Sequence, residues 1–159
     1  MKKLFLMGLM LFTIAACAPS KVVQESRKVM KGYWSLDSIS YSESGTFDVQ
    51  LLHDASVDCF EGSTWRFIPN NNTGVYTIED ADCGAGDRNF VFTVQEVDKD
   101  SGLYDFLLKP TNVKGKSDSN AGYRMNLEQL SDDNMQWKQT VTLEGKPFQI
   151  YMNFSKISN

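Results

Sequence analysis

The sequence predicts an all-β fold: an antiparallel up-and-down barrel of about eight strands. Three observations predict it. Apolar residues recur with period two along most of the chain, and no long segment carries a helical stripe. The alternating runs are joined by short turns rich in Gly, Asn, Asp and Pro. No helix-sized segment alternates with them, which argues against a parallel sheet. Successive hairpins make a meander, and a meander of this length removes its edges most simply by closing on itself. A two-sheet sandwich is the alternative.

The strands follow in order. "GYWSLDSISY" (32–41) opens the domain, and "TFDVQLL" (46–52) reads as a further strand. "STWRFIPNNNTGVYTI" (63–78) is a hairpin whose Asn/Gly-rich turn follows Pro69. "NFVFTVQEVD" (89–98) sets Phe90, Phe92 and Val94 against Val91, Thr93 and Gln95. After the "DKDSG" turn at 98–102, "GLYDFLLKP" is apolar on both faces but for Asp105. "GYRMNLEQL" (122–130) alternates on Tyr123, Met125 and Leu127. "MQWKQTVTLE" places Met135, Trp137, Val141 and Leu143 on one face with Gln139 among them; "KPFQIYMNFSK" does the same for Phe148, Ile150, Met152 and Phe154. The "EGKP" between these two makes the strongest hairpin signal in the chain. The longer connections are 53–61, 79–88 and 111–120.

Ahead of the domain lies a leader. Lys2 and Lys3 form a basic start, Leu4 to Ile14 is almost wholly apolar, and Ala15 and Ala16 follow. That apolar run is shorter than the roughly 20 residues a membrane span requires. Ile14-Ala15-Ala16-Cys17 resembles the lipobox of bacterial lipoproteins. The resemblance implies cleavage before Cys17 and acylation of that residue, with two or more chains giving a stable anchor. The expected organisation is a signal peptide at 1–16, an acylated N-terminus and tether at 17–31 with one short helical stretch, and a barrel domain at 32–156. No acidic run follows Cys17. Some surface-exposed bacterial lipoproteins carry such a run as an export signal, so the resemblance implies a location in the cell envelope, lipid-anchored in the outer membrane and facing the periplasm.

Loss of Lys2 and Lys3 with the leader lowers the net charge from −4 to −6. An acidic chain with scattered basic residues has no electrostatic footprint for nucleic acid. With Cys17 acylated, Cys59 and Cys83 remain as a pair, and an oxidising compartment makes a disulfide the default. Closing that loop stabilises the fold by roughly 3 kcal/mol in the chain-entropy model. The alternative, a redox or metal pair, has no C-x-x-C and a single histidine to draw on.

Gly32-Tyr33-Trp34 resembles the G-x-W signature that opens the lipocalin barrel, where the tryptophan packs across the closed end. The whole chain is similar to the lipocalin-like lipoproteins of Bacteroidetes-type bacteria, most visibly in "CFEGSTWRFIPNNNTG", "YDFLLKP", "NMQWKQTVTLEGKPF" and "MNFSK". The resemblance implies an eight-stranded calyx and a late arginine over the tryptophan, for which Arg124 is the best candidate. Two departures stand out. The Thr-Asp-Tyr signature near the sixth strand is missing, and no helix-sized segment follows the last strand.

Chemistry is sparse. His53 beside Asp54 in "LLHDAS" is the sole histidine and reads as a solvated loop pair rather than a catalytic one. Asp98 to Gly102 does not continue as a calcium loop, and Glu79, Asp80, Asp82 and Asp87 read as a solvated acidic loop. No glycine motif cradles a phosphate, so no catalytic residue, metal or cofactor is expected. Aromatics are the one excess. Trp65, Phe67, Tyr76, Phe92, Phe106 and Trp137 lie on faces able to point inward, and an eight-stranded barrel either is filled by side chains or holds one small ligand. With Arg124 or Arg66 as polar anchor, an apolar molecule with an acidic head fits. The expected function is non-enzymatic binding of a small hydrophobic ligand, a lipid or fatty acid. The alternative is a filled barrel that engages an envelope protein through its loops.

Overall fold

The computed structural model describes residues 20–98 and 103–158, so Cys17, the leader and the tip of the 98–102 turn lie outside the described residues. The chain opens with α1 (Lys21–Met30), the short helix expected in the tether. Ser20 caps it by accepting from the Val23 N–H. Then come β1 (Gly32–Tyr41), a small hairpin β2 (Gln50–Leu51) and β3 (Ala55–Ser56), and a single helical turn α2 (Val57–Phe60). The remaining strands are β4 (Thr64–Ile68), β5 (Thr73–Ile78), β6 (Gly86–Asp98), β7 (Leu103–Thr111), β8 (Tyr123–Leu130), β9 (Asn134–Leu143) and β10 (Lys146–Ser158).

Eight of these form one closed barrel in the order β1-β10-β9-β8-β7-β6-β5-β4, with every pairing antiparallel. β1 closes it by pairing on one side with β10 and on the other with β4. The sandwich is excluded, because no sheet edge separates two layers. Alternation did its expected work: Phe90, Phe92, Val94, Met125, Leu127, Met135, Trp137, Phe148, Ile150, Met152 and Phe154 all face inward and are buried. "TFDVQLL" behaves differently from the expected strand. Only Gln50 and Leu51 of it are extended and paired, with β3 rather than with the barrel. Its alternation is real, but the face bearing Phe47, Val49 and Leu51 packs down onto the core from above.

The two barrel ends are built differently. At the closed end α1 crosses the opening. Trp34 is wholly buried there and donates from Nε1 to the Met30 carbonyl at 2.9 Å. The cation over its ring is Lys156, Nζ 5.1 Å from the ring centroid and 2.7 Å from the Val29 carbonyl it bonds. Arg124, the residue expected in that role, lies elsewhere. The reason is register: Lys156 stands opposite Trp34 across the β1–β10 ladder, so both project toward the same side. Arg27 reaches from α1 to the Pro69 carbonyl and the Asn72 side chain, tying the helix to the β4–β5 turn. At the other end, the mouth, lie the segment 42–63 and the connections 79–85, 112–122 and 144–145.

Gly74 shows how tightly the wall is made. A Cβ built there would sit 2.2 Å from Phe90 Cζ and 2.7 Å from the Arg66 carbonyl oxygen. The Phe90 ring covers bare backbone, which only glycine offers. Gly74→Ala is therefore expected to lower stability by about 1–3 kcal/mol, the usual range for overpacking. Urea unfolding measures it, and an unchanged midpoint would place the Phe90 ring somewhere else.

Candidate functional site

All six aromatics singled out from the sequence, Trp65, Phe67, Tyr76, Phe92, Phe106 and Trp137, point into the barrel and are at most 2% exposed. They meet one another from opposite walls. Phe67 on β4 lies 5.9 Å from Phe106 on β7 and 5.7 Å from Trp137 on β9, centroid to centroid. Phe106 stacks on Trp137 at 4.4 Å, and Trp65 stands edge-on to Trp137 at 5.5 Å. These are ordinary distances for rings in contact. The rings occupy the middle of the barrel with each other. Trp65 donates to Ser63 Oγ at 2.9 Å, whereas Trp137 Nε1 has no hydrogen-bond partner among the described residues.

Neither arginine offered as a polar anchor enters this interior. Arg124 lies largely exposed on the outer wall and donates to Asp105 at 2.8 Å, where Asn126 donates to the second carboxylate oxygen at 3.0 Å. Arg66 sits outside too, over the Tyr33 ring at 5.3 Å. Asp105, the polar break noted in the strand pattern, is thus a buried carboxylate on the outer wall satisfied by two neighbours.

Two open grooves lie at the mouth. The segment 42–63 folds over it as a lid held at three places. Near its start Phe47 packs on Phe148 at 4.7 Å and edge-on to Tyr41 at 5.2 Å. At its root the Cys59–Cys83 disulfide joins α2 to the connection after β5, with Cα atoms 5.7 Å apart. Between these, the tip Leu51–Asp54 turns with Leu52 and His53 both at positive φ, +54° and +52°. Such turns favour Asn-Gly, so a Leu-His pair is strained by roughly 1–3 kcal/mol per residue. Burial of Leu51 and Leu52 offsets part of that cost.

Polar groups finish the latch. His53 Nδ1 and the Tyr123 hydroxyl share a hydrogen bond of 2.8 Å. Asp54 accepts from the Tyr76 hydroxyl at 2.9 Å and from Arg88 Nε at 3.1 Å. Burial first, and then the Asp54 carboxylate, raise the Tyr76 pKa far above the ordinary phenol range, so the hydroxyl stays protonated and donates. Arg88 also donates to the Gly84 and Gly86 carbonyls at 2.6 and 2.8 Å, shaping the loop beside the disulfide. Sequence reasoning passed over Arg88. Its signal was there, since it is the only basic residue between Arg66 and Lys99 and sits at the end of an acidic loop. In that loop Asp80 accepts from the Asp82 N–H and Asp87 from the Thr77 hydroxyl. Among the described residues no group of three or more His, Cys, Asp or Glu is placed to hold a metal ion.

Two grooves flank the lid tip. One, about 580 Å³, runs between the tip, Arg88 and the 112–122 loop. The other, about 570 Å³, lies between the lid and the β9–β10 hairpin. Phe47, Val49, Val141, Leu143, Phe148 and Ile150 supply its apolar wall. Its outer end opens because the β8–β9 ladder stops at Asn126↔Lys138 while β9 and β10 stay paired out to Leu143↔Lys146. Volumes of roughly 300–1,000 Å³ are usual for small-ligand sites.

A closed up-and-down barrel of eight strands is the architecture of lipocalins. No family model and no curated protein matches the chain. Among solved structures it is similar to a lipocalin-like protein from Bacteroides uniformis, with 12% sequence identity, 81% of this chain and 99% of that chain covered, and a TM-score of 0.49.

Asp54→Ala removes the acceptor of a buried hydroxyl and the partner of Arg88. The lid is expected to open more readily by about 1–3 kcal/mol, the cost of an orphaned buried donor. Hydrogen exchange at amides 50–57 would quicken while β9 and β10 stay protected. Unchanged exchange at the tip would mean the hydrophobic contacts alone hold it down.

Proposed function

We propose that this chain is a lipid-anchored, non-enzymatic barrel of the cell envelope that binds a small hydrophobic ligand at its mouth. The observation that carries the reading is the groove of about 570 Å³ between lid and hairpin, with one apolar wall and access from solvent. The interior supports it by exclusion, since the rings there are already in contact with one another. The ligand class is a lipid, its chain laid along Phe47, Val49, Val141 and Leu143, with Phe148 and Ile150 packed beneath them. His53 and Asp54 serve as latch groups, each engaged with the opposite wall, and chemistry is not asked of them.

The anchor is Cys17, read from the leader. It stands four residues before Lys21, at most about 14 Å of extended chain. Because α1 crosses the closed end, an anchor there turns the mouth away from the membrane that holds it, toward the periplasm. Replacing Cys17 by Ser is expected to move the protein from the membrane fraction to the soluble one. Continued anchoring of that variant would remove the lipoprotein reading.

A second reading has its own support. The three long connections singled out from the sequence all lie on the mouth rim, and Val113 on one of them is 85% exposed. A rim of this kind suits a protein partner, with the barrel acting as a rigid support. Native mass spectrometry of the Cys17→Ser protein taken from envelope extract separates the two. A small molecule lost on denaturation supports the ligand reading. A clean apo mass, unchanged by added long-chain acids, alcohols and ammonium amphiphiles alike, favours the partner reading.

A further inference from the structure

We propose that the mouth groove selects an amphiphile whose head is a free ammonium, not a carboxylate and not a phosphate-bearing lipid head. This rests on the reading of the groove as a ligand site. The apolar wall formed by Val141, Leu143, Phe148 and Ile150 ends at a rim carrying Glu43, Asp48 and Glu144. Those three come from two segments, two residues from the lid and one from the β9–β10 turn, and line one opening. All three are exposed, and none is paired with a cation among the described residues. No lysine or arginine lines the groove, and His53 is held by Tyr123.

The chemistry follows from that asymmetry. A chain on the apolar wall is held whatever its head, because burial of methylenes is indifferent to charge. The head then lies among three carboxylates with no compensating cation. An ammonium is drawn there, a neutral hydroxyl is tolerated, and a carboxylate is repelled. A phosphate beside the ammonium cancels the gain. The arginines that would have welcomed an acidic head are on the outer wall. Leu143 and Val141, 40% and 36% exposed, give the wall an entry side directly below Glu144 in the same hairpin.

Four probes of equal chain length test it by calorimetry below their micelle concentrations: decyltrimethylammonium, decanol, decylphosphocholine and decanoate. The protein is the full chain with Cys17→Ser or, if that variant stays in the membrane, the same variant in nanodiscs titrated against empty discs. The expected order is ammonium tightest, decanol and decylphosphocholine alike, and decanoate weakest. A gap of about tenfold or more between ammonium and decanoate is expected from three partly screened charges. Raised salt should weaken the ammonium and leave decanol unchanged. The triple variant Glu43→Gln, Asp48→Asn, Glu144→Gln should erase the gap while decanol still binds. Decanoate binding as tightly as the ammonium overturns the head-group inference and leaves the groove standing. So does a gap that survives the triple variant, which would assign it to the overall negative charge. Decylphosphocholine matching the ammonium would replace the free ammonium by a membrane lipid. Binding of none of the four overturns the groove itself, and the inference with it.

Discussion

The aromatic contact between opposite barrel walls is the interaction on which the rest of this structure depends. Eight strands enclose a space that side chains can just fill, and here Trp65, Phe67, Phe106 and Trp137 meet across it. Each ring removes a large apolar area from water and gains further from edge-on and stacked neighbours. A core of this kind leaves no polar anchor inside. The two grooves beside the lid tip lie at the mouth, where the walls no longer face each other.

The ends are then built in opposite ways. At the closed end α1, Trp34 and Lys156 form a plug, the indole bonded to Met30 and the ammonium to Val29. At the mouth the lid is held by separable fastenings: a ring contact, a disulfide and a small polar network. The disulfide is permanent in an oxidising compartment, whereas the Asp54 and His53 contacts are ordinary hydrogen bonds of modest net worth. The lid is fixed at its root by the disulfide, and at its tip the buried Leu51 and Leu52 add to those polar contacts. The positive φ values at Leu52 and His53 place the local strain at that same tip.

Much of the fold was legible in the chain. Period-two alternation named the buried face of β6, β8 and β10 and the inner half of β9, because side-chain direction in a strand depends only on residue parity. The Asn/Gly turn after Pro69 and the Glu-Gly turn after Leu143 were equally local. "TFDVQLL" shows the limit of that logic. Alternation reports a buried face, not what buries it, and this segment met the core as a lid. The same limit applies at the tip of β9, where Val141 and Leu143 carry the pattern of Trp137 yet stand beyond the barrel, exposed.

The sequence by itself determined the eight barrel strands, most of their turns and inward faces, and the cysteines available to pair, since each is a matter of neighbours along the chain or of composition. Only the tertiary structure decided that the inward rings touch, that Lys156 and not Arg124 covers Trp34, and that Arg124 answers Asp105 outside. It alone brought Arg88 to Asp54 across 34 positions, and Glu43, Asp48 and Glu144 to one rim. Those outcomes depend on register and on the width of the closed barrel. Both are set by all eight strands together, and no single stretch of residues encodes them.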